Sequence, residues 1–211
     1  MSRFTLLLGG DLVATPRLLA QVAGSRVLAA DSGIRHAAAL GLEPELWVGD
    51  FDSSDARLMA LMDRVPRETF PAEKNSTDGE LSVDLALQKG ASELVLVGAF
   101  GGSRADHAFL HMTMALRLAE RGLTVLLTSG DQEGVPLLPG TQRFDYDRQT
   151  LFSVLGFTDL VISIAGARWP LVKRDVPFGS SLTLSNFVSG SLSVELHSGR
   201  ALLLAHVPTQ D

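Results

Sequence analysis

Short apolar runs alternate with helix-like segments through the first half of this chain, and that alternation constrains the fold more than any other feature. Phe4–Leu8, Arg26–Ala30, Leu46–Val48, Glu93–Val97 and Thr124–Thr128 are too short for helices and apolar enough to be covered on both faces. Strands of that kind belong in a parallel sheet flanked by helices. Between them, Thr15-Pro16 supplies a cap and a first-turn proline for a helix to about Ala23. Ile34–Leu40 reads as a helix closed by Gly41, and Ser53 or Ser54 caps another to about Arg64. Thr77 opens the capping-box pattern T-D-G-E before a helix that stops at Lys89-Gly90. Arg104–Arg121 is a long helix ended by Gly122. The expectation is an α/β domain over residues 1–130 with a doubly wound, mostly parallel sheet.

The pattern changes near Ser129-Gly130-Asp131. Beyond it, Val135–Leu138, Gln142–Tyr146, Leu151–Leu155, Leu160–Ala165, Ser181–Leu184, Ser191–Leu196 and Ala201–His206 are strand-like runs separated by turn residues. Helical periodicity is weak there, and His197-Ser198-Gly199-Arg200 resembles a hairpin connection. Residues 131–211 are therefore expected to form a smaller C-terminal antiparallel β-sandwich domain.

The chemistry sits where the apolar strands stop. Asp31-Ser32-Gly33 follows one strand, and Gly49-Asp50-Phe51-Asp52-Ser53 follows the next. Lys74-Asn75-Ser76-Thr77-Asp78 precedes the capped helix, and Gly101-Gly102-Ser103-Arg104-Ala105-Asp106-His107 follows a further strand. Open α/β sheets bind ligands beyond the carboxyl ends of their strands, so these clusters should gather along one sheet edge. Crowded carboxylates repel one another and cannot face a polyanion unaided. An oxygen-rich acidic site of this kind suits Mg²⁺, which takes one or two carboxylates plus phosphate oxygens. The residues thus point to metal-assisted chemistry on a phosphorylated ligand.

A formal charge of −6 argues against a general affinity for nucleic acid or anionic membranes. With no cysteine, disulfides, thiolate metal sites and cysteine nucleophiles are all excluded. The opening M-S-R-F-T-L-L-L-G-G-D reads as a first strand rather than a signal peptide. No apolar stretch approaches the roughly 20 residues that span a bilayer, and a cytoplasmic location is expected.

Each motif alone is weak, because an Asp in a strand-to-helix loop is more often a helix cap than a ligand. Taken in order, G-D-F-D-S, K-x-x-T-D-x-E and G-G-x-R-x-D-H make a specific combination. It continues through Gly166-Ala167-Arg168-Trp169-Pro170-Leu171 and Ser185-Asn186. The chain resembles the thiamine pyrophosphokinase family over nearly its whole length. Three residues depart from that family's pattern: Asn75 stands in place of a common Asp, Ser103 lengthens the glycine loop, and Ser32 replaces a frequent Gly. The resemblance implies Mg²⁺-dependent transfer of a pyrophosphoryl group from ATP to the thiamine hydroxyl, giving thiamine diphosphate and AMP. It also implies an N-terminal nucleotide domain, a C-terminal thiamine-binding and dimerisation domain, and a homodimer with active sites between subunits.

On that resemblance Asp50, Asp52 and Asp78 would hold the metal, and Asp31, Lys74, Thr77 and Arg104 would contact ATP. Arg104 offers a planar fork of donors suited to phosphate oxygens, or else it simply pairs with Asp106 at the helix start. Asp106 either meets thiamine or orients Arg104, and His107 either meets thiamine or is a satisfied helix residue. The family match makes Trp169 a platform for the thiamine pyrimidine, where a tryptophan beside proline is otherwise edge packing. Ser185 and Asn186 carry groups a pyrimidine edge needs, or else form a polar turn. Trp47, the second tryptophan, reads as core, and no side chain stands out as a general base. Two other readings remain open: a phosphatase with Asp50 as nucleophile and Asp52 as acid, and a thiamine- or nucleotide-binding protein without turnover.

Overall fold

The computed structural model describes residues 2–51, 59, 62–70 and 77–208. Six strands run parallel: β1 (Arg3–Leu7), β2 (Arg26–Ala30), β3 (Leu46–Gly49), β4 (Arg67–Thr69), β5 (Glu93–Val97) and β6 (Thr124–Thr128). Their order across the sheet is β4-β3-β2-β1-β5-β6. The chain therefore adds strands on one side of β1, then returns to add β5 and β6 on the other. That reversal falls between β1 and β5, which pair in register from Arg3↔Glu93 to Leu7↔Val97.

Alternation along these strands sends side chains to two different cores. Phe4, Leu6, Leu28, Leu94 and Leu96 pack on one face against Val83 and Ala86 of helix α3 (Asp78–Gln88) and Met114, Ala115 and Leu118 of helix α4 (Ala105–Glu120). Leu7, Val27, Ala29, Val95 and Val97 pack on the other against helix α1 (Pro16–Val22) and the short helix α2 (His36–Leu40). Continuous burial on both faces explains why these strands carry no polar alternation.

The helix ends follow the sequence signals. Thr15 Oγ1 accepts from Leu18 N at 3.2 Å with Pro16 in the first turn, and Gly41 closes α2 at φ 61°. Thr77 and Glu80 form the expected capping box. The segment after β2 begins as a 3₁₀ turn, Asp31–Arg35, before α2, so the helix expected from Ile34 is split in two. Of the helix expected from Ser53 to Arg64, residues 53–58, 60 and 61 lie outside the described residues.

From β6 the sheet turns antiparallel. β7 (Gln132–Leu137) pairs with β6 through Leu127↔Gly134 and Thr128↔Glu133, so Ser129-Gly130-Asp131 is a tight connection inside a continuous sheet. The remaining strands are β8 (Gly140–Phe144), β9 (Leu151–Gly156), β10 (Leu160–Ala167), β11 (Leu171–Val176), β12 (Asn186–Ser198) and β13 (Ala201–His206). β7, β13 and β9 lie side by side, and Asn186 and Phe187 tie β12 to β9. The rest of β12 pairs with β10 and β8, and a third core gathers Leu137, Phe152, Val154, Ile162, Val194 and Leu203 from both sets of strands.

Two expectations are corrected, and two unexpected edge strands are added. Ser181–Leu184 is a turn, with Leu184 N donating to Ser181 O at 3.0 Å, and Leu182 and Leu184 are exposed. The turn at Ser198-Gly199-Arg200 is present, but β12 and β13 are separated by β9 and form no hairpin with each other. Edge strands β4 and β11 were not expected, because R-E-T and L-V-K-R-D-V lack an apolar run. An edge strand borrows its order from its neighbour and needs little burial of its own.

Candidate active site

A cleft of about 730 Å³ opens beyond the carboxyl ends of β1, β2, β3 and β5. That volume lies within the ~300–1,000 Å³ common for ligand sites, and the position is the one where the strand order reverses. Two loops form its floor. Beyond β1 and β5 the chain continues side by side, with Gly10 N donating to Gly98 O at 2.9 Å and Asp11 N to Phe100 O at 2.8 Å. A Cβ on Gly10 would collide with the carbonyls of Gly98 and Phe100, so no larger residue permits this approach. Asp11 Oδ2 then accepts from Gly102 N at 2.9 Å, clasping the first loop to the glycine loop.

Asp31, Asp50, Thr77, Asp78, Arg104 and His107, all singled out from the sequence, line this cleft. Asp31 and Asp50 leave adjacent strands, and Asp78 is the first residue of α3. Asp52 and Lys74 lie outside the described residues. Asp106 does not line the cleft. Its carboxylate accepts from Arg104 Nε at 2.9 Å and Nη2 at 2.6 Å. That fork holds the Asp106 carboxyl well below the usual carboxylate range and raises the guanidinium. Both residues are exposed, so solvent screens the pair.

Trp169, Ser185 and Asn186 are likewise absent from the cleft of the single chain. Asn186 is buried and its amide is already engaged: Nδ2 donates to Trp169 O at 2.8 Å, and Oδ1 accepts from Trp169 N at 3.1 Å and Phe187 N at 2.8 Å. It therefore fixes the loop that presents Trp169. The indole itself is 52% exposed, with the Arg168 guanidinium 4.9 Å from its ring centroid. Ser185 is exposed at φ 57°, its N–H donating to Ser153 Oγ at 3.0 Å.

Sequence reasoning missed four residues here. Asp11 is one of them, and Gly9-Gly10-Asp11 directly after the first strand is the signal that could have found it. Arg35 Nη2 donates to Gly9 O at 2.7 Å and Gly10 O at 3.0 Å. His36 Nε2 bonds Gly10 O at 3.0 Å, and His111 Nδ1 bonds Ala99 O at 3.0 Å. A carbonyl only accepts, so both ring nitrogens carry hydrogen. Burial lowers the pKa of each imidazole, which keeps them neutral and leaves His111 Nε2 unprotonated beside Gly79.

Fold and cleft together define an α/β protein with an acid-lined site at the reversal of its strand order. The chain belongs to the thiamin pyrophosphokinase family: the family's catalytic-domain model matches residues 20–127. Thiamine pyrophosphokinase of Bacillus subtilis (strain 168) is 25% identical over 151 residues, 69% of this chain and 70% of that protein. The crystal structure of thiamine pyrophosphokinase from Bacillus subtilis superposes with a TM-score of 0.85 at 22% identity, covering 98% of this chain and 99% of that one. That of Geobacillus thermodenitrificans gives 0.79 at 25% identity, covering 100% and 99%. Yeast thiamin pyrophosphokinase gives 0.78 at 14%, covering 99% and 87%, a likeness of fold alone.

Proposed function

We propose that this protein transfers a pyrophosphoryl group from ATP to the hydroxyl of thiamine, with Mg²⁺, releasing AMP. The oxygen of the thiamine hydroxyl bonds to the β-phosphorus, the bond from that phosphorus to the α–β bridging oxygen breaks, and the hydroxyl proton is lost. The observation that carries this reading is the convergence of Asp31, Asp50 and Asp78 on one cleft with the Gly101-Gly102 loop, in a member of this family.

The donor set fits a hard cation, since the acids that line the cleft offer only oxygen and the chain has no cysteine. Among the described residues no group of three or more His, Cys, Asp or Glu side chains could hold a metal. Asp50, Asp52 and Asp78, the acids that the family resemblance assigns, would hold the ion together with phosphate oxygens. Bound there, Mg²⁺ would neutralise phosphate charge and orient the nucleotide. Asp31, Lys74, Thr77 and Arg104 would contact ATP, with Arg104 exchanging part of its bond to Asp106 for phosphate oxygens. Asp106 and His107, in the first turn of α4, would face thiamine.

We further read the chain as two units, residues 1–130 as a doubly wound nucleotide-binding domain and 131–211 as a β-sandwich that binds thiamine and dimerises. Two observations support a homodimer with shared sites. Trp169, Ser185 and Asn186 lie away from the acidic cleft of their own chain. Trp169, Val172, Phe178, Leu182 and Leu184 are exposed apolar side chains clustered in sequence on and beside edge strand β11, a surface suited to a second copy. Among the described residues no helix is long and apolar enough to cross a membrane, and we place the protein in the cytoplasm. Incubation with ATP, Mg²⁺ and thiamine should yield AMP and thiamine diphosphate in equal amounts. Release of inorganic phosphate from phosphoesters instead would favour the aspartyl phosphatase reading, and tight binding without product would favour a sensor.

A further inference from the structure

Trp47 is fully buried in the middle of β3, where filling volume would be explanation enough. Its contacts are more specific than that. The indole Nε1–H donates to the Asp31 carbonyl oxygen at 2.8 Å, across the β2–β3 boundary. Asp31 has φ 45°, a left-handed backbone that is unfavourable for a residue with a Cβ. Phe51, directly after Asp50, is also left-handed at φ 60°. Its ring meets the indole edge-on, with centroids 4.9 Å apart and planes at 87°. The Arg67 guanidinium also lies over the indole, 5.3 Å from its centroid.

One side chain thus touches two left-handed residues at the strand ends: Asp31, which lines the cleft, through a hydrogen bond, and Phe51, the neighbour of cleft-lining Asp50, through a ring contact. Neither backbone conformation is favourable by itself, so something must hold it. We propose that Trp47 is a positioning residue: its N–H and ring edge set the separation of Asp31 and Asp50, and thereby the affinity of the cleft for a divalent-cation complex of a nucleoside triphosphate. This inference rests on the nucleotide reading of the cleft. It differs from a packing role because packing needs the bicyclic shape, whereas positioning needs the N–H.

The test replaces Trp47 with the isosteric 3-benzothienylalanine, which keeps the shape and puts sulfur where the N–H was. Trp47→Phe is the conventional second variant. Binding of Mg²⁺ with a non-hydrolysable ATP analogue is measured by calorimetry, beside thermal unfolding and circular dichroism. The benzothienyl protein should fold normally yet bind the Mg²⁺–nucleotide complex roughly tenfold more weakly, as loss of one buried hydrogen bond would give. Its half-saturating Mg²⁺ concentration should rise in step, with KM for thiamine unchanged. Unaltered Mg²⁺–nucleotide affinity in the folded benzothienyl protein, whatever its melting temperature, would overturn the proposal. If the unsubstituted protein bound no nucleotide, the cleft reading would fail and this inference with it.

Discussion

At the scale of single residues, the site depends on where burial and exposure divide. Trp169 is half exposed on a loop that the buried Asn186 amide fixes from below. An aromatic face presented in this way suits a flat cation, and stacking with cation–π attraction is worth about 1–2 kcal/mol once desolvated. Trp169→Ala should therefore weaken thiamine binding about tenfold or more and leave ATP affinity nearly unchanged. Calorimetry with each ligand separately checks this, and a loss confined to ATP would move Trp169 to the nucleotide side. The neutral histidines under the loops carry a pH signature. Both His36 and His111 are held below the ordinary value of about 6.5 by burial. The unfolded chain then binds more protons than the folded one below that pH, so stability present above it is lost as pH falls. Melting temperature should drop between pH 7 and pH 5, and the double substitution His36→Gln, His111→Gln should flatten that slope. The lowered carboxyls of Asp106 and Asp145 act in the same direction, but only at more acidic pH.

At the scale of elements, two junctions fix helices in place. The Thr77–Glu80 capping box starts α3 beside Asp78: Thr77 Oγ1 accepts from Glu80 N at 3.2 Å, and Glu80 Oε2 from Thr77 N at 3.2 Å. Thr77→Ala should cost about 1 kcal/mol in chemical denaturation, the usual worth of such a cap. Thr77→Ser, which keeps the hydroxyl, should restore most of it. The second junction joins α1 to β7. Glu133 is buried, its side chain 3% exposed against 34% for Arg17, and it receives Arg17 Nε at 2.6 Å and Gln21 Nε2 at 2.6 Å. Arg17 also reaches Asp145 at 3.0 Å, linking helix, sheet and the loop before β9. Arg17→Met leaves that carboxylate short of a partner and should destabilise the fold by about 2–3 kcal/mol. This is less than the ~3–5 kcal/mol for a fully buried pair, because Gln21 and solvent compensate in part. An unchanged denaturation midpoint would mean the cluster is ornamental.

At the scale of the whole molecule, one chain holds the acidic cleft and the exposed aromatic loop in different places. If two copies complete each other's sites, loss of either part should be complementable. Asp50→Asn and Trp169→Ala proteins, each impaired alone, should regain about a quarter of full activity when mixed and allowed to exchange. Half of the dimers would then be mixed, and each of those would have one intact site. No recovery in a mixture shown by mass spectrometry to contain mixed dimers would rule out shared sites. Light scattering should report a dimer at micromolar concentration.

Much was legible in the sequence wherever the signal is local. The β2, β6 and β13 bounds coincide with the apolar runs read from the chain, and Thr77 caps α3 as its T-D-G-E pattern requires. Periodicity, caps and left-handed glycines act over a few residues, so a linear reading captures them. Asp31, Asp50, Asp78 and Arg104 were found for the same reason, each marking the end of a strand or the start of a helix. Tertiary structure decided the rest. The polar edge strands β4 and β11 exist because a neighbour supplies their hydrogen bonds. Asp11, Arg35 and His111 came to line the cleft, and His36 to bond the Gly10 carbonyl beside it, only when loops from distant parts of the chain were brought together. Trp47 looked like core and is core, but its bond to Asp31 joins residues sixteen apart that meet only because β2 and β3 pair. No local rule encodes such a contact. It follows from strand order, which is fixed by burying the two faces of the sheet at once.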